Sequence, residues 1–413
     1  MFPHWRSGIT GSDAARSLIT DDLVRRGAVI RIGSHNASPL RPNVSRVIYS
    51  LAVKNENPER QKARLLKIPQ FSYAEALGEL TQNYKTIAIA GAHGKSTTTA
   101  LVGLMLSEAG FDPTVIVGTR LKEFGNSNFR KGKSEWLVLE ADEFHGSFLR
   151  YRPFAAIVTN LDREHLEFYK TFGNIKKAFR TFVGQVKTGG YLVLNREDRN
   201  LASFKLKTRT NIAYYDRQGM RAVKVKSLLK IPGVHNHSNA MACDVLGNAL
   251  GISISVRDKV FSRFTGTWRR FEYRGIYRET KVYDDYAHHP TEIKATLAGA
   301  REKFPKAKIW AIFQPHLAER LSLLFSDFAT AFREADQVMI LETYKVLGRE
   351  SAPQNGRDAK SLAEKLALSQ PARFMRDSKD VFRAIKKETV KGDILLFMGA
   401  GDIKNLSDKL MKC

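Results

Sequence analysis

The stretch AIAGAHGKSTTTA at residues 88–100 constrains the fold of this 413-residue chain most, because it joins an apolar run to a predicted helix through a glycine-bearing loop. A strand, such a loop and a helix in this order bind phosphate, since backbone N–H groups and the helix N-terminus attract anions. The common pattern G-x-x-x-x-G-K-[ST] requires glycine at position 89, where this chain has Ile89. The sequence therefore predicts a shorter phosphate loop. A plain strand-to-helix turn with a surface lysine is the alternative.

The loop supplies its own candidates for phosphate chemistry. Lys95 is predicted to reach the β- and γ-phosphates of a nucleotide, and Ser96 to bind Mg²⁺. We also expect Lys95→Ala to abolish turnover and leave the fold intact, because a lysine that only contacts phosphate does no packing.

Three apolar runs have the composition of buried parallel strands: KTIAIAG (85–91), SEWLVLEADE (134–143) and FAAIVTN (154–160). Each run ends in polar residues. Ligands of open α/β sheets bind beyond the carboxyl ends of the strands, so these groups are predicted to converge on one crevice. The polar residues after the second run are Glu140, Asp142 and Glu143, and those after the third are Asn160, Asp162 and His165.

Two of these side chains are candidate metal ligands. Taken alone, Glu140 is a surface carboxylate, but at the end of a strand beside the phosphate loop it suits Mg²⁺, which prefers carboxylate and phosphate oxygens. His165 is by itself an ordinary surface or capping histidine, and in this setting a candidate for ligation or catalysis.

The rest of the chain predicts an α/β protein of three domains. Residues 1–84 alternate helical and strand-like segments, residues 85–253 hold the phosphate loop, and residues 254–413 contain the strand-like runs KVYD, AKIWAIF, DQVMILE and DILLFMG. Pro290 suits the first position of a helix over PTEIKATLAGAREKF. The segment VHNHSNAMA (234–242) opens a helix, which capping by Asn236 or Ser238 alone would explain.

The distribution of charge and the hydropathy of the chain argue against two classes of protein, nucleic-acid binders and membrane proteins. The net charge of +25, from 67 basic and 42 acidic residues, is spread as scattered pairs without a basic block, which favours phosphate pockets over nucleic-acid binding. No apolar run reaches the roughly 18 residues of a membrane span, and the N-terminus does not resemble a secretory signal, so we expect a cytoplasmic protein without a membrane partner. Cys243 and Cys413 are expected to be free thiols.

Seven motifs stand out along the chain: GAHGKSTTT, LEADE, VTNLDREH, HNHSN, GTWRRFE, DDYAHHPTEI and QPHLAER. In combination they resemble the Mur ligases, the ATP-dependent amide-forming enzymes of peptidoglycan precursor synthesis, whose loop is the shorter G-x-x-G-K-[ST]. His93 and the motif DDYAHHPTEI are similar to those of the branch that joins L-alanine to UDP-N-acetylmuramate.

The resemblance implies an N-terminal domain for the UDP-sugar, a central P-loop-type ATPase domain with a largely parallel sheet, and a C-terminal Rossmann-like domain. It implies that ATP activates a carboxylate as an acyl phosphate, with one Mg²⁺ held by Ser96 and Glu140 and a second held by His165, and that Lys95, Glu140 and His165 are catalytic. The ATP-binding residues would be Gly91, Ala92, His93, Gly94, Lys95, Ser96, Thr97, His235, Asn236, Asn239, Arg270, Asp285 and His288. The substrate-binding residues would be Ser50, Asn128, Arg130, His316 and Arg320.

The chain departs from the family pattern in three places. Family members begin with a strand and a G-x-G-G-x-G-M loop before the GSD found here at residues 11–13, so the N-terminal domain is expected to be a truncated Rossmann-like domain or to build its UDP site differently. The family's E-A-D-E-S-D reads E-A-D-E-F-H here, with Phe144 and His145, and its Asp-His pair is Glu164-His165.

Three other functions remain open at this stage. A ligase that recycles a preformed peptide onto the same sugar would accept a tripeptide. A non-catalytic nucleotide-binding homologue would bind ATP without forming an acyl phosphate. A nucleic-acid ATPase would be stimulated by DNA or RNA.

Overall fold

The structure, a computed structural model, describes residues 8–35, 40, 43–204, 209–345 and 356–412. Cys413 lies outside the described residues. The chain divides into two units, of which the first is Met1–Tyr84 with Arg150–Arg152 and the second is Lys85–Leu149 with Pro153–Cys413. No helix of the described part has the length and apolarity that a membrane crossing requires.

The first unit contains two small parallel strand pairs with helices between them, as the alternating sequence predicts. Ser17 caps the first helix and exchanges hydrogen bonds with Thr20, so the helix begins at Leu18. The elements are β1 (Thr10–Asp13), α1 (Leu18–Arg25), β2 (Val29–Ile32), β3 (Val47–Tyr49), α2 (Pro58–Leu65), β4 (Gln70–Ser72) and α3 (Tyr73–Gln82), with β1 paired to β2 and β3 to β4.

The second unit contains a seven-stranded sheet in the order β11-β10-β9-β5-β8-β6-β7, parallel except for the edge strand β7. Its apolar strands are buried on both faces, which explains their continuous apolar sequence. Its elements are β5 (Lys85–Ala90), α4 (Lys95–Glu108), β6 (Thr114–Leu121), β7 (Ser127–Arg130), β8 (Trp136–Glu140), β9 (Ala155–Val158), α5 (Leu166–Tyr169), α6 (Phe172–Val183), β10 (Tyr191–Asn195), α7 (Arg199–Ala202), β11 (Asn211–Tyr215), α8 (Gly219–Leu228), α9 (Val234–Ala249) and α10 (Ile254–Arg263), with short 3₁₀ segments at Lys122–Phe124 and Phe144–Arg150.

The three predicted apolar strands are confirmed and are neighbours. β5 lies between β9 and β8, with Ile89 opposite Glu140 and Ala90 opposite Val158. All three run in parallel, so the polar residues that follow them meet at one edge of the sheet. Helix α10 packs onto this sheet's core through Val260 and Phe261.

The unit also contains a six-stranded sheet in the order β12-β13-β17-β14-β15-β16, parallel except for the edge strand β12. Four of its strands and the Pro290 helix were predicted, and all five elements are confirmed. Its elements are β12 (Glu272–Tyr277), β13 (Thr280–Asp285), α11 (Pro290–Lys303), β14 (Ile309–Phe313), α12 (Ala318–Leu323), α13 (Phe325–Phe328), β15 (Gln337–Leu341), α14 (Ala359–Ala367), β16 (Ala372–Met375), α15 (Ser378–Glu388), β17 (Ile394–Met398) and α16 (Lys404–Leu410).

Candidate active site

The loop between β5 and α4 has a backbone that only glycine accepts at two positions. Gly91 has φ +136° and Gly94 has φ +84°, and a Cβ on them would collide with Thr159 Oγ1 and Asn239 Oδ1, respectively. The neighbouring strand holds the loop, since Asn160 accepts from the His93 N–H at 2.9 Å and donates to the His93 carbonyl at 3.0 Å. The glycine geometry and the two bonds to Asn160 therefore hold the loop in this conformation.

Lys95 is the first residue of α4, and its ammonium group is buried beside the loop. Nζ donates to the carbonyls of Gly91 at 2.7 Å and Ala92 at 3.1 Å, and to Glu143 Oε2 at 2.9 Å. Burial lowers the pKa of Lys95, but Glu143, with help from Asp142 and Glu140, outweighs burial and raises it. Lys95 is thus a permanent cation held in an ion pair. The premise that Lys95 contacts only phosphate is wrong, because its ammonium group compensates the charge of the buried Glu143. The effect of Lys95→Ala on the fold stays a prediction.

Ser96 and Glu140 are in direct contact. The Ser96 hydroxyl donates to Glu140 Oε1 at 3.1 Å, and the Gly118 N–H of β6 donates to Glu140 Oε2 at 2.8 Å. A Cβ at Gly118 would lie 2.8 Å from Glu140 Oε2, so this close approach requires glycine. A hydroxyl and a carboxylate oriented in this way are suitable oxygen ligands for a hard divalent cation.

His165 lies near the same acidic groups. Its Nε2 is 4.0 Å from Glu143 Oε1 and its Nδ1 is 3.3 Å from Glu167 Oε1. Burial lowers the pKa of His165, but Glu167 and Glu143 raise it above its ordinary value. One ligand atom from each of Asp142, Glu143 and His165 lies within 4.8 Å of the others, which is the spacing of a possible metal site.

Two adjoining cavities collect most of the predicted site residues. The first, named the nucleotide cavity after the predicted ATP-binding residues that line it, has a volume of about 460 Å³ and is lined by the predicted residues His93, Gly94, Ser96, Thr97, His235, Asn236, Asn239, Arg270 and Asp285. The second, named the metal cavity after the predicted Mg²⁺ ligands that line it, has a volume of about 400 Å³ and is lined by the predicted residues Ala92, Gly94, Lys95, Ser96, Glu140, His165, Arg270 and His288.

The start of helix α9 lines the nucleotide cavity. The helix is capped by Gly233 without a side-chain hydrogen bond, and Asn236 instead donates from Nδ2 to the Pro232 carbonyl at 2.7 Å. The alternative in which Asn236 or Ser238 serves as the helix cap is therefore wrong. Burial, with a contribution from the Arg270 charge, lowers the pKa of His235 to about 4, so this ring is neutral at pH 7.

His93 of the loop connects the two sheets of the second unit. Its Nε2 lies 2.9 Å from Asp162 Oδ2, which also accepts from the Thr291 hydroxyl of α11 at 2.6 Å, and its Nδ1 lies 3.5 Å from Glu292 Oε1. Burial lowers the pKa of His93, but Asp162 and Glu292 raise it to about 10. The imidazolium thus links a carboxylate that follows β9 with a carboxylate of α11.

The predicted substrate residues are more dispersed. Arg320 donates to Glu164 Oε2 at 2.9 Å, and Glu164 lines the metal cavity. The His316 ring stacks on Tyr344 with 5.7 Å between ring centroids. Arg130, on the edge strand β7 with Asn128, is bonded to the Pro113 carbonyl and Asp112 Oδ1, each at 2.6 Å. Ser50 belongs to the first unit, where its hydroxyl accepts from the Ala52 N–H at 3.3 Å.

Sequence reasoning left three contact residues of this site without a role. Glu143 pairs with Lys95, Glu292 lies between His93 and Arg270, and Asp162 accepts from His93. All three stand within quoted motifs, and Glu143 and Asp162 were predicted to reach the crevice, but each partner comes from a distant segment of the chain. The signal that could have found Glu292 is its position in the first turn of a helix.

The His93 network predicts a dependence of stability on pH. Folded His93 has a pKa of about 10 against an ordinary 6.5, so the folded protein binds the extra proton and its stability falls as the pH rises between these values. Asp162 has the opposite effect on stability, because the pKa of its carboxyl group is held below the ordinary 3.8. The stability that it contributes is lost only as the pH falls below that value. We therefore expect the unfolding temperatures of the wild type and His93→Asn to differ most between pH 3.8 and 6.5 and to converge towards pH 10. Thermal unfolding of both proteins across this range tests the expectation, and a constant difference from pH 6.5 to 10 would contradict it.

Three family models match consecutive parts of the chain. The model described as "Mur ligase family, catalytic domain" matches residues 7–85, "Mur ligase middle domain" matches residues 89–247, and "Mur ligase, glutamate ligase domain" matches residues 269–401. The last two ranges contain the phosphate loop and the start of α11, respectively.

Proteins of known name match over nearly the whole chain. A UDP-N-acetylmuramate–L-alanine ligase of Aquifex aeolicus is 37% identical over 426 residues, covering 98% of this chain and 92% of that protein. The corresponding ligase of Sulfurihydrogenibium sp. is 38% identical over 423 residues, with the same coverage. The crystal structure of UDP-N-acetylmuramate–alanine ligase from Thermotoga maritima has a TM-score of 0.77 at 26% identity, covering 98% of this chain and 92% of that one.

Proposed function

The chain belongs to the Mur ligase family, and on that premise we propose that it joins L-alanine to the lactyl carboxylate of UDP-N-acetylmuramate in an ATP-dependent reaction. The observation that carries the proposal is the convergence of Lys95, the Ser96–Glu140 pair and His165 on one cavity. That cavity adjoins a second one large enough for a nucleotide and lined by His235, Asn236 and Asn239. Because ATP and a UDP-sugar are the substrates, the proposal includes a cytoplasmic location.

The proposed reaction proceeds in two transfers. An oxygen of the lactyl carboxylate attacks the γ-phosphorus of ATP, the bond to the bridging oxygen breaks, and ADP leaves. The neutral amine of L-alanine then attacks the acyl carbon, phosphate leaves with the electron pair of the broken C–O bond, and the amine loses its proton. Because both reactants of the first step are anions, the site must supply positive charge.

Lys95 is the residue best suited to supply that charge. Its ammonium group is pre-oriented by the carbonyls of Gly91 and Ala92 and lies at the N-terminus of α4, where an anion is favoured. In the proposed mechanism the nucleotide phosphates compete with Glu143 for this cation. The neutral imidazole of His235, with Asn236 and Asn239, belongs to the wall of the nucleotide cavity and is assigned to the base and ribose side of ATP.

The donor groups fit divalent cations. Ser96 and Glu140 offer oxygen ligands to one Mg²⁺, and Asp142, Glu143 and His165 offer ligands to a second. Mg²⁺ bound there would neutralise charge on the reacting phosphate. The remaining proposed roles follow the family resemblance: Asp285 and His288 contact the nucleotide, His316 and Arg320 contact substrate, and Ser50, Asn128 and Arg130 contact the UDP-sugar.

Phosphate release by the purified chain tests this proposal. With ATP, Mg²⁺ and UDP-N-acetylmuramate, we expect release to require L-alanine, and the product to contain the amide of L-alanine. ATP hydrolysis that is independent of both substrates, or stimulated by DNA or RNA, would overturn it.

The acceptor decides between the proposed ligase and a peptide-recycling ligase. We expect turnover with L-alanine to exceed turnover with a tripeptide at equal concentration. Preference for the tripeptide would retain the ligase chemistry but assign the chain to the other substrate.

A further inference from the structure

The motif GTWRRFE contributes a tryptophan to the wall of the metal cavity. Trp268 of this motif lines that cavity beside Thr119 of β6. Two hydrogen bonds fix its backbone: the Trp268 N–H donates to the Arg120 carbonyl at 3.1 Å, and the Thr119 hydroxyl donates to the Trp268 carbonyl at 2.8 Å. Trp268 therefore lies where the end of β6 meets the segment that leads into β12.

Arg120 holds its guanidinium group over the Trp268 ring, 5.0 Å from the ring centroid. Arg120 is half-buried, and among the residues that the structure describes its guanidinium has no hydrogen bond and no ion pair. The attraction between a cation and an indole face restrains the side chain, but it does not use the N–H donors in hydrogen bonds. The Arg120–Trp268 pair thus presents a restrained guanidinium whose donors are available to a ligand.

The other cations of the metal cavity are already engaged. The lysine and the arginine that line this cavity, Lys95 and Arg270, are paired with Glu143 and Glu292, respectively. A planar guanidinium without a carboxylate partner matches the geometry of carboxylate and phosphate oxyanions. Arg120, at the edge of the cavity, is therefore suited to bind an anionic substrate.

The neighbours of Arg120 along the chain indicate which substrate supplies the oxyanion. Gly118, two residues before Arg120, donates its N–H to Glu140, the proposed Mg²⁺ ligand. Leu121, the next residue, pairs with the first residue of β7, the edge strand that carries Asn128, a proposed UDP-sugar contact. Arg120 therefore lies between the proposed site of phosphoryl transfer and the proposed sugar segment, which is the position of a contact with the acyl donor.

We propose that Arg120, restrained by Trp268, binds an oxyanion of the sugar-nucleotide substrate, which has two such groups, its diphosphate and its lactyl carboxylate. Arg120 is the contact residue, and Trp268 is a positioning residue that acts through it. The inference rests on the proposed function, because it requires UDP-N-acetylmuramate as the acyl donor. It adds a contact from β6 to the substrate contacts already proposed.

Binding of UDP-N-acetylmuramate to the full chain tests the proposal by calorimetry, with a non-hydrolysable ATP analogue present and L-alanine absent. We expect Arg120→Met to weaken binding by about 10- to 100-fold, the loss expected for hydrogen bonds to a charged group. Arg120→Lys keeps the charge but loses the planar set of donors, so its affinity should fall between those of the wild type and Arg120→Met. The affinity for ADP should be unchanged in both variants, which checks that the nucleotide cavity is intact.

Arg180→Met is the matched control. Arg180 of α6 also lies 5.0 Å over an aromatic ring, that of Phe204, and has no ion pair among the described residues. It is exposed and lies outside both cavities. The same substitution there removes an equal charge and should leave the affinity for UDP-N-acetylmuramate unchanged.

Trp268→Leu tests the positioning role. If Trp268 acts through Arg120, this substitution weakens binding on its own but adds little when Arg120 is already replaced by methionine. Equal losses of affinity with and without Arg120 would overturn the positioning role, because they would show that Trp268 acts independently.

A competing ligand locates the oxyanion. UDP-N-acetylglucosamine has the diphosphate but lacks the lactyl group. If Arg120→Met weakens both ligands, the contact is with the diphosphate. If it weakens only UDP-N-acetylmuramate, the contact is with the lactyl carboxylate.

Two results would overturn the proposal. One is equal affinity of the wild type and Arg120→Met for UDP-N-acetylmuramate. The other is an effect of Arg120→Met confined to the KM for L-alanine, which would assign the guanidinium to the acceptor carboxylate. Both leave the substrate-dependent phosphate release of the wild type in place, so they are distinguishable from failure of the proposed function, in which the wild type itself binds no UDP-N-acetylmuramate.

Discussion

Lys95→Met is expected to reduce substrate-dependent phosphate release by about 10³-fold, because it removes a fixed positive charge from the proposed site of phosphoryl transfer. The same substitution should also lower the free energy of unfolding by about 3–5 kcal/mol, since it leaves the buried Glu143 carboxylate without its cation. The measurements are phosphate release with all three substrates and denaturant unfolding of the same preparation.

A double variant separates these two effects. Lys95→Met combined with Glu143→Gln removes both charges, so stability should recover towards that of the wild type while turnover stays low. Lys122→Ala serves as the matched control, because Lys122 is an exposed lysine outside both cavities, and its activity and stability should be unchanged. Turnover of the single variant close to wild type would remove Lys95 from the mechanism.

Glu140→Gln is expected to reduce turnover by at least about 100-fold and to raise the Mg²⁺ concentration needed for half-maximal activity. Glutamine keeps the size of the side chain, and its oxygen can still accept from the Gly118 N–H while its amide nitrogen donates to the Ser96 hydroxyl, so both contacts are retained. The negative charge that is proposed to attract the cation is lost. A Mg²⁺ titration of phosphate release at saturating ATP measures both effects.

The glutamate just before the same strand provides the control for this prediction. Glu135 is exposed and precedes β8 at the end of the strand opposite Glu140, so Glu135→Gln removes an equal charge away from the site. We expect its Mg²⁺ dependence to match the wild type. A Glu140→Gln protein with unchanged Mg²⁺ dependence would show that Glu140 does not hold the ion.

Local sequence patterns predicted the strands, the loop and the helix that surround the candidate site, and each prediction has a physical reason. Continuous apolar runs identified β5, β8 and β9, because strands buried on both faces need apolar residues throughout. Glycines at 91 and 94 identified the loop, because their positive φ angles and crowded surroundings exclude a side chain. Pro290 identified the start of α11.

Sequence patterns did not predict the antiparallel edge strands or the exact length of the short strands. β7 and β12 complete the two sheets at their edges, where half-buried residues leave no continuous apolar signal. In the first unit, β3 covers only Val47–Tyr49, because only these residues pair with β4.

The sequence of this Mur ligase by itself determined which residue types follow each strand. It placed a phosphate loop, carboxylates and histidines at the carboxyl ends of those strands. Only the tertiary structure decided the partners. Lys95 meets Glu143 because β5 and β8 are neighbours, and His93 meets Asp162 because β9 lies on the other side of β5. Glu292 and His289 join them because α11 of the second sheet begins at the same place. Such pairings depend on strand order and on the packing of one sheet against another, which local patterns of hydrophobicity and turn residues do not encode.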